Sequence, residues 1–256
     1  VSERAADEGL RAVVERFAEG GPELLEARSL LRRTDHKLLT RAERLPALLG
    51  LFVDDHAIVL AGGERIARYA TTYLDTDELR CFSDHRRGRP HRAKVRWRDH
   101  LDRGVTTLEV KQKTGRGETK KSRLEHPFLD HHLDEVARRF LGALVPFDTA
   151  AVRPVIENDF RRITFVAREA DERVTVDLDV RFVADGHVVD LGDWAVIEIK
   201  TGGNPRLAPA LARMRAQGLT ETGFSKYAIG MIATHPSLRA GALRPWLRRL
   251  GCKEAA

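Results

Sequence analysis

Five segments of this chain interleave charged with apolar residues. They run from Lys94 to Arg98, Glu109 to Lys111, Arg161 to Phe165, Arg173 to Asp179 and Glu198 to Lys200. Successive side chains of a strand point to opposite faces, so each segment is expected to form a strand with one apolar and one charged face. The wet side of an ordinary half-exposed strand carries Thr, Ser, Gln and scattered charge. Here it carries Lys or Arg in every segment, joined by carboxylates such as Glu109 and Glu198. Such faces suit a polyanion accompanied by a metal ion.

The chain has 256 residues, enough to bury a substantial core, and 42% of them are hydrophobic, as in a globular protein. Lys and Arg number 44 against 38 Asp and Glu, a formal charge of +6. That balance favours an acidic partner without choosing among nucleic acid, phosphate metabolites and anionic lipid. Cys81 and Cys252 are the two cysteines, in no disulfide or zinc pattern, which fits a reducing interior. No stretch approaches the roughly 18 consecutive apolar residues of a membrane span. The chain opens Val-Ser-Glu-Arg without a signal-like segment, so no membrane segment and a cytoplasmic location are expected. Trp97, Trp194 and Trp246 are scattered, leaving no stacking platform, and nucleic acid is not the expected partner.

Leu10, Val13, Val14 and Phe17 at helical spacing predict an N-terminal helix, broken at Gly20-Gly21-Pro22 and followed by a short second one. Leu30 to Thr40 and Arg68 to Asp75 read as strands, with a short helix from Arg41 to Leu49 between them. Ser83 to Arg92 is polar, with Gly and Pro, and reads as a connection. Strands are expected at about 92–99, 105–112, 152–167, 172–183 and 194–200, with Asp185-Gly186 as a hairpin turn. Leu129 to Leu144, with Leu133, Val136, Ala137, Phe140 and Leu141 on one side, predicts an amphipathic helix headed by His131 and His132. Pro205 to Gly218 and Leu238 to Leu250 are the expected closing helices.

The apolar strand faces, for example Val95 with Trp97 or Val174 with Val176 and Leu178, need cover, which the helices can supply. With helices outside, a curling antiparallel sheet would wrap the charged faces around a passage. The expected fold is therefore α+β, an antiparallel β-barrel forming a tunnel with helices packed on the outside. An N-terminal helical segment over 1–32 would precede the barrel domain over 33–256.

An ordered series of short motifs sharpens this reading. It comprises Arg33, Asp35 and Lys37; Tyr73 to Thr76; Asp84 and His85; Lys94 to Trp97; Leu108 to Lys111; Lys121 to Arg123; Phe160 to Arg162; Arg173 to Asp177; Ile197 to Lys200; and Ser225 to Tyr227. In order and spacing the chain resembles, from about Arg33 to Tyr227, the vacuolar-transporter-chaperone (VTC) polyphosphate polymerase domain of the triphosphate tunnel, or CYTH-like, superfamily. The resemblance implies ATP and inorganic polyphosphate as substrates and Mn²⁺ or Mg²⁺ as cofactor. It implies Lys37, Lys94, Arg96, Lys111 and Arg162 as catalytic residues, and Lys121, Arg173, Lys200, Ser225 and Lys226 as substrate-binding ones. Glu198 matches the carboxylate that holds the metal, and Glu109 is a second candidate ligand. Two positions depart from the family pattern: Phe160 stands where Tyr is frequent and Asp35 where Glu is usual.

The implied activity is transfer of the γ-phosphate of ATP onto a growing polyphosphate chain. Phosphoryl transfer asks for charge around the phosphoryl group and an in-line acceptor more than for covalent participation by the protein. Two other outcomes use the same residues: a triphosphatase or polyphosphatase with water as acceptor, and a binding module without turnover.

Overall fold

The computed structural model describes residues 2–27, 33–115, 119–202, 208–235 and 237–251. Its helices are α1 (Ser2–Glu15), α2 (Pro22–Ala27), α3 (Leu45–Gly50), α4 (Arg80–Arg86), α5 (Glu135–Gly142), α6 (Pro209–Ala216), α7 (Lys226–Thr234) and α8 (Arg244–Arg249). Its strands are β1 (Arg33–Arg41), β2 (His56–Ile58), β3 (Ala67–Asp75), β4 (Arg92–His100), β5 (Val105–Lys113), β6 (Thr119–His126), β7 (Arg153–Ala167), β8 (Glu172–Ala184), β9 (His187–Asp190) and β10 (Trp194–Gly202). The class is α+β with antiparallel strand pairs, as the alternation predicts. The chain folds as two compact units, each assembled from three separate stretches: 1–67, 160–180 and 192–224 in the first, and 68–159, 181–191 and 225–256 in the second.

In the first unit the strand order is β1-β10-β8-β7, with β2 beside β7. One face of these strands is apolar, and Leu38, Ile163, Phe165, Val174, Val176, Ala195, Ile197 and Ile199 are all buried in one cluster. Leu10, Val13 and Val14 of α1, Leu45, Leu48 and Leu49 of α3, and Leu211 and Met214 of α6 close over them. A helix of about 14 residues is marginal in water by itself, so α1 owes its order to this apolar stripe. Helix α6 begins after Ala208, which has no side chain able to cap. The buried Glu172 of β8 supplies the missing acceptor, taking the Ala210 N–H at 2.8 Å.

In the second unit β3, β4, β5 and β6 follow one another, and β9 pairs with the end of β8. Leu74, Val95, Trp97, Leu108 and Val110 fill the apolar side. Gly230 of α7 is required by close packing: a Cβ there would lie 2.5 Å from Phe182 Cδ1 and 2.7 Å from Ile156 Cδ1. Gly230→Ala is therefore expected to overpack the core and destabilise by about 1–3 kcal/mol, readable as a lower midpoint in urea unfolding.

Strand β2 has no counterpart in the sequence reading, and four further elements differ from it. The segment from Leu129 enters a helix only at Glu135, because Asp134 caps α5 by accepting the Ala137 N–H at 2.7 Å. Leu129 has a positive φ of 61°, and Val136, expected on the apolar side, is 51% exposed. The polar connection from Ser83 contains the second half of α4, whose start is organised by Asp75 rather than by a local cap. Helix α7 is missing from the sequence reading since Tyr227 through Ile232 are all buried, which leaves no amphipathic stripe. The closing segment is a 3-10 turn over Gly241–Leu243 leading into α8 rather than one long helix. Within the expected helix 205–218, α6 covers Pro209–Ala216, and 203–207 lie outside the described residues. The first strand is described from Arg33, and residues 28–32 likewise lie outside.

Candidate functional site

In the first unit, register sets the polar face. Across β1, β10 and β8, Asp35, Lys200 and Arg173 lie directly opposite one another, and so do Lys37, Glu198 and Thr175 two residues along. Directly opposed side chains are in contact range, so each row acts as one electrostatic unit. Lys200 forms an ion pair with Glu198. Burial works to raise the Glu198 carboxyl, but Lys200, Lys37 and Arg162 outweigh it and hold the group well below the usual carboxylate range. Burial pushes the Lys200 ammonium down, against the pull of Glu198 and Asp35. Lys37 also donates to the Phe224 carbonyl at 3.1 Å. On β7, Arg162 donates from Nε to Asp177 Oδ1 at 2.5 Å and from Nη2 to Oδ2 at 2.8 Å.

The second unit carries its own cationic face. Lys94, Lys111 and Lys121 are directly opposed across β4, β5 and β6, and Arg96, Glu109 and Arg123 form the next row, with Tyr73 of β3 opposite Arg96. Directly opposed like charges repel, and within the protein Glu109 of the next row offsets this at Lys121. Glu109 is 3% exposed and receives Arg96 at 2.6 Å, Lys121, and Arg123 at 3.6 Å. Burial would raise the Glu109 carboxyl, yet Arg96, Arg98 and Lys121 depress it far below the ordinary range. Burial brings Lys121 down to about 7 despite Glu109 beside it.

Ser225 completes this face. Its side chain accepts from the Ala228 N–H, capping α7, and from Lys94 Nζ at 3.0 Å. With both acceptor positions engaged, the hydroxyl hydrogen is the group it can offer to a phosphate oxygen. Lys94 Nζ is also 3.4 Å from His85 Nε2. Asp75, fully buried, fixes the helix behind Ser225: it accepts the Cys81 and Phe82 N–H groups at 2.7 and 2.9 Å and the Tyr227 hydroxyl at 2.5 Å. Tyr227 in turn stacks on Tyr73 with ring centroids 4.8 Å apart.

The structure thus brings Lys37, Arg162, Arg173, Glu198 and Lys200 together in the first unit. It gathers Lys94, Arg96, Glu109, Lys111 and Lys121 in the second. Ser225 and Lys226 stand at the head of α7. Of the predicted lysines on the strands, Lys111 and Lys121 are exposed, and Lys37, Lys94 and Lys200 are half-buried. Sequence reading places Asp177, Asp75 and Arg98 in its strands and motifs but gives them no role in the site. Arg98 follows from the same alternation as Arg96, whereas Asp177 meets Arg162 on the neighbouring strand and Asp75 meets Tyr227 from 152 positions away.

Among the described residues no group of three or more His, Cys, Asp or Glu side chains could hold a metal ion. Each cationic face offers one carboxylate ringed by Lys and Arg. A cage made by protein alone does not fit. An ion that arrives with phosphate oxygens does, since Mg²⁺ in phosphate-transfer sites is bound through one or two carboxylates plus the substrate. Glu198 is the better donor for it, with 19% of its side chain exposed against 3% for Glu109. No helix among the described residues is long and apolar enough to cross a membrane.

Comparison with known proteins follows the same line. The chain is similar to the crystal structure of a candidate adenylate cyclase from Bacillus halodurans, with 12% identity, a TM-score of 0.50, and 75% of this chain and 92% of that one covered. At that identity the likeness concerns the fold alone. A candidate adenylyl cyclase from Hippeastrum, described as having a dominant triphosphatase activity, aligns with 15% identity and a TM-score of 0.46 over 77% of this chain and 94% of that one. Comparison with curated proteins finds no match. The family model of the VTC domain matches residues 32–235, most of the chain and both cationic faces with it, so the chain belongs to the VTC domain family.

Proposed function

We propose that this chain is a metal-dependent phosphotransferase that moves the γ-phosphate of ATP onto inorganic polyphosphate. The observation that carries the reading is the opposed row Lys94, Lys111 and Lys121. A chain of phosphates can lie along all three, and a chain longer than a single phosphate is what a row, rather than a point, selects. In the first unit Arg162 offers a planar guanidinium suited to paired phosphate oxygens, with Lys37, Arg173 and Lys200 as added charge; in the second Arg96 does the same, with Lys111, Lys121 and Lys226. A divalent ion at Glu198, Mn²⁺ or Mg²⁺, would draw charge from the phosphate oxygens it shares. Ser225 donates its hydroxyl hydrogen to the phosphate chain beside Lys94.

Hydrolysis would need a base to orient water. Glu109, the carboxylate among the lysines and arginines of the second unit, is paired with three cations and held far below its ordinary range, so it is a poor proton acceptor. That favours phosphate over water as the acceptor. Incubation of the pure protein with ATP and Mn²⁺ tests this, with products resolved for chain length and for phosphate release. The expected products are ADP and polyphosphate chains. Free phosphate alone would replace the polymerase by a hydrolase, and absence of nucleotide turnover with polyphosphate still bound would leave a binding module.

The position of Lys121 adds a pH dependence. Its ammonium, brought down to about 7, is charged below that pH and neutral above it. Affinity for tripolyphosphate is expected to fall between about pH 6 and about pH 8.5 by calorimetry, and Lys121→Arg, which stays protonated, should flatten the decline. An identical slope in the variant would remove Lys121 from the binding face.

A further inference from the structure

Arg162 is held on two sides within the first unit. The side-on edge of its guanidinium, Nε and Nη2, meets both carboxylate oxygens of Asp177 at 2.5 and 2.8 Å. Its Cζ lies over the Phe160 ring, 5.1 Å from the centroid. Asp177 is 2% exposed and Phe160 3%, so both props are fixed by the core, whereas the Arg162 side chain keeps 17% of its surface. The three residues sit on neighbouring strands, β7 and β8, and Arg162 is close enough to Glu198 and Lys200 to act on both electrostatically. A carboxylate on the side-on edge turns the end-on edge, Nη1 and Nη2, away from itself. That is the second geometry in which an arginine grips two oxygens of one anion.

We propose that Asp177 is a positioning residue for phosphate binding: with Phe160 beneath the guanidinium, it aims the end-on edge of Arg162 at the substrate's phosphate oxygens. The proposal rests on the reading of the Arg162 face as a phosphate site. It explains why an anion is tolerated beside a face built for anions, and it asks only for a ring face at position 160, not for a hydroxyl.

The sign of one substitution separates this role from simple electrostatics. If Asp177 only lowered the local positive potential, Asp177→Asn would tighten anion binding. If it positions Arg162, the same change should weaken it. Calorimetric titration with tripolyphosphate in the absence of nucleotide is expected to show about tenfold weaker binding for Asp177→Asn. In an Arg162→Ala background the Asn substitution should cause no further loss. Tighter or unchanged binding in the Asp177→Asn single variant, or an equal loss in both backgrounds, would overturn the proposal. Should Asp177→Asn not fold, Asp177→Glu keeps the charge but lengthens the reach by one methylene and is expected to weaken binding as well. Wild-type affinity in Asp177→Glu would overturn it equally. Unchanged binding in Arg162→Ala alone is a different failure, one that removes the phosphate site itself.

Discussion

Asp75→Ala is expected to destabilise the second unit by about 3–5 kcal/mol, since it strips partners from several buried groups at once. The fully buried carboxyl accepts from the Cys81 and Phe82 N–H groups of α4 and from the Tyr227 hydroxyl of α7. Each buried donor left unsatisfied costs about 1–3 kcal/mol, and a small cavity adds to that. Urea unfolding should show the shift in midpoint. The effect should also reach function, because Tyr227 follows Ser225 and Lys226 at the head of α7. Tyr227→Phe removes one of these bonds while keeping the ring on Tyr73, and should cost about 1–2 kcal/mol. A shift for Asp75→Ala no larger than that for Tyr227→Phe would show that α4 does not depend on Asp75.

The second large effect concerns Glu198. Glu198→Gln preserves shape but removes the charge that faces Lys37 and Lys200. Turnover is expected to fall at least about tenfold, a barrier increase of about 1.4 kcal/mol, with a weakened response to added Mn²⁺. Metal-free binding of tripolyphosphate should move the other way and tighten, since a negative charge has left a cationic face. This opposite motion of turnover and anion affinity distinguishes a metal-holding carboxylate from one that merely supports the strand. Loss of both together would mark Glu198 as structural, and wild-type turnover would remove it from the mechanism.

Much of the site is legible in sequence because strand alternation alone decides which face a residue occupies. Lys94, Arg96 and Arg98 share a face once β4 is recognised, and so do Glu109 and Lys111 on β5. The Asp185-Gly186 turn is legible for the same local reason: both residues have positive φ, 49° and 78°, as a two-residue hairpin requires. What the sequence does not carry is register. Glu109 reads as a spare carboxylate and a second metal ligand until Arg96 and Arg123 are found directly opposite it. Asp177 reads as one more charged residue of β8 until Arg162, fifteen positions earlier, turns out to be its partner. Asp75 meets Tyr227 from 152 positions away. Helix α7 hides for a different reason, in that a helix buried all round has no polar face to betray its period. The interleaving of the two units, each built from three stretches, is likewise invisible in a linear reading without a composition shift.

The central claim is that the opposed lysines of β4, β5 and β6 form a seat for a phosphate chain, and titration of tripolyphosphate into the protein at low and high salt tests it most directly. The account predicts binding that weakens steeply with ionic strength, as screening of exposed charge requires, and is lost when Lys94, Lys111 and Lys121 are all replaced by alanine in a variant that still unfolds cooperatively. Equal affinity in the wild type and the triple variant at every salt concentration would contradict it.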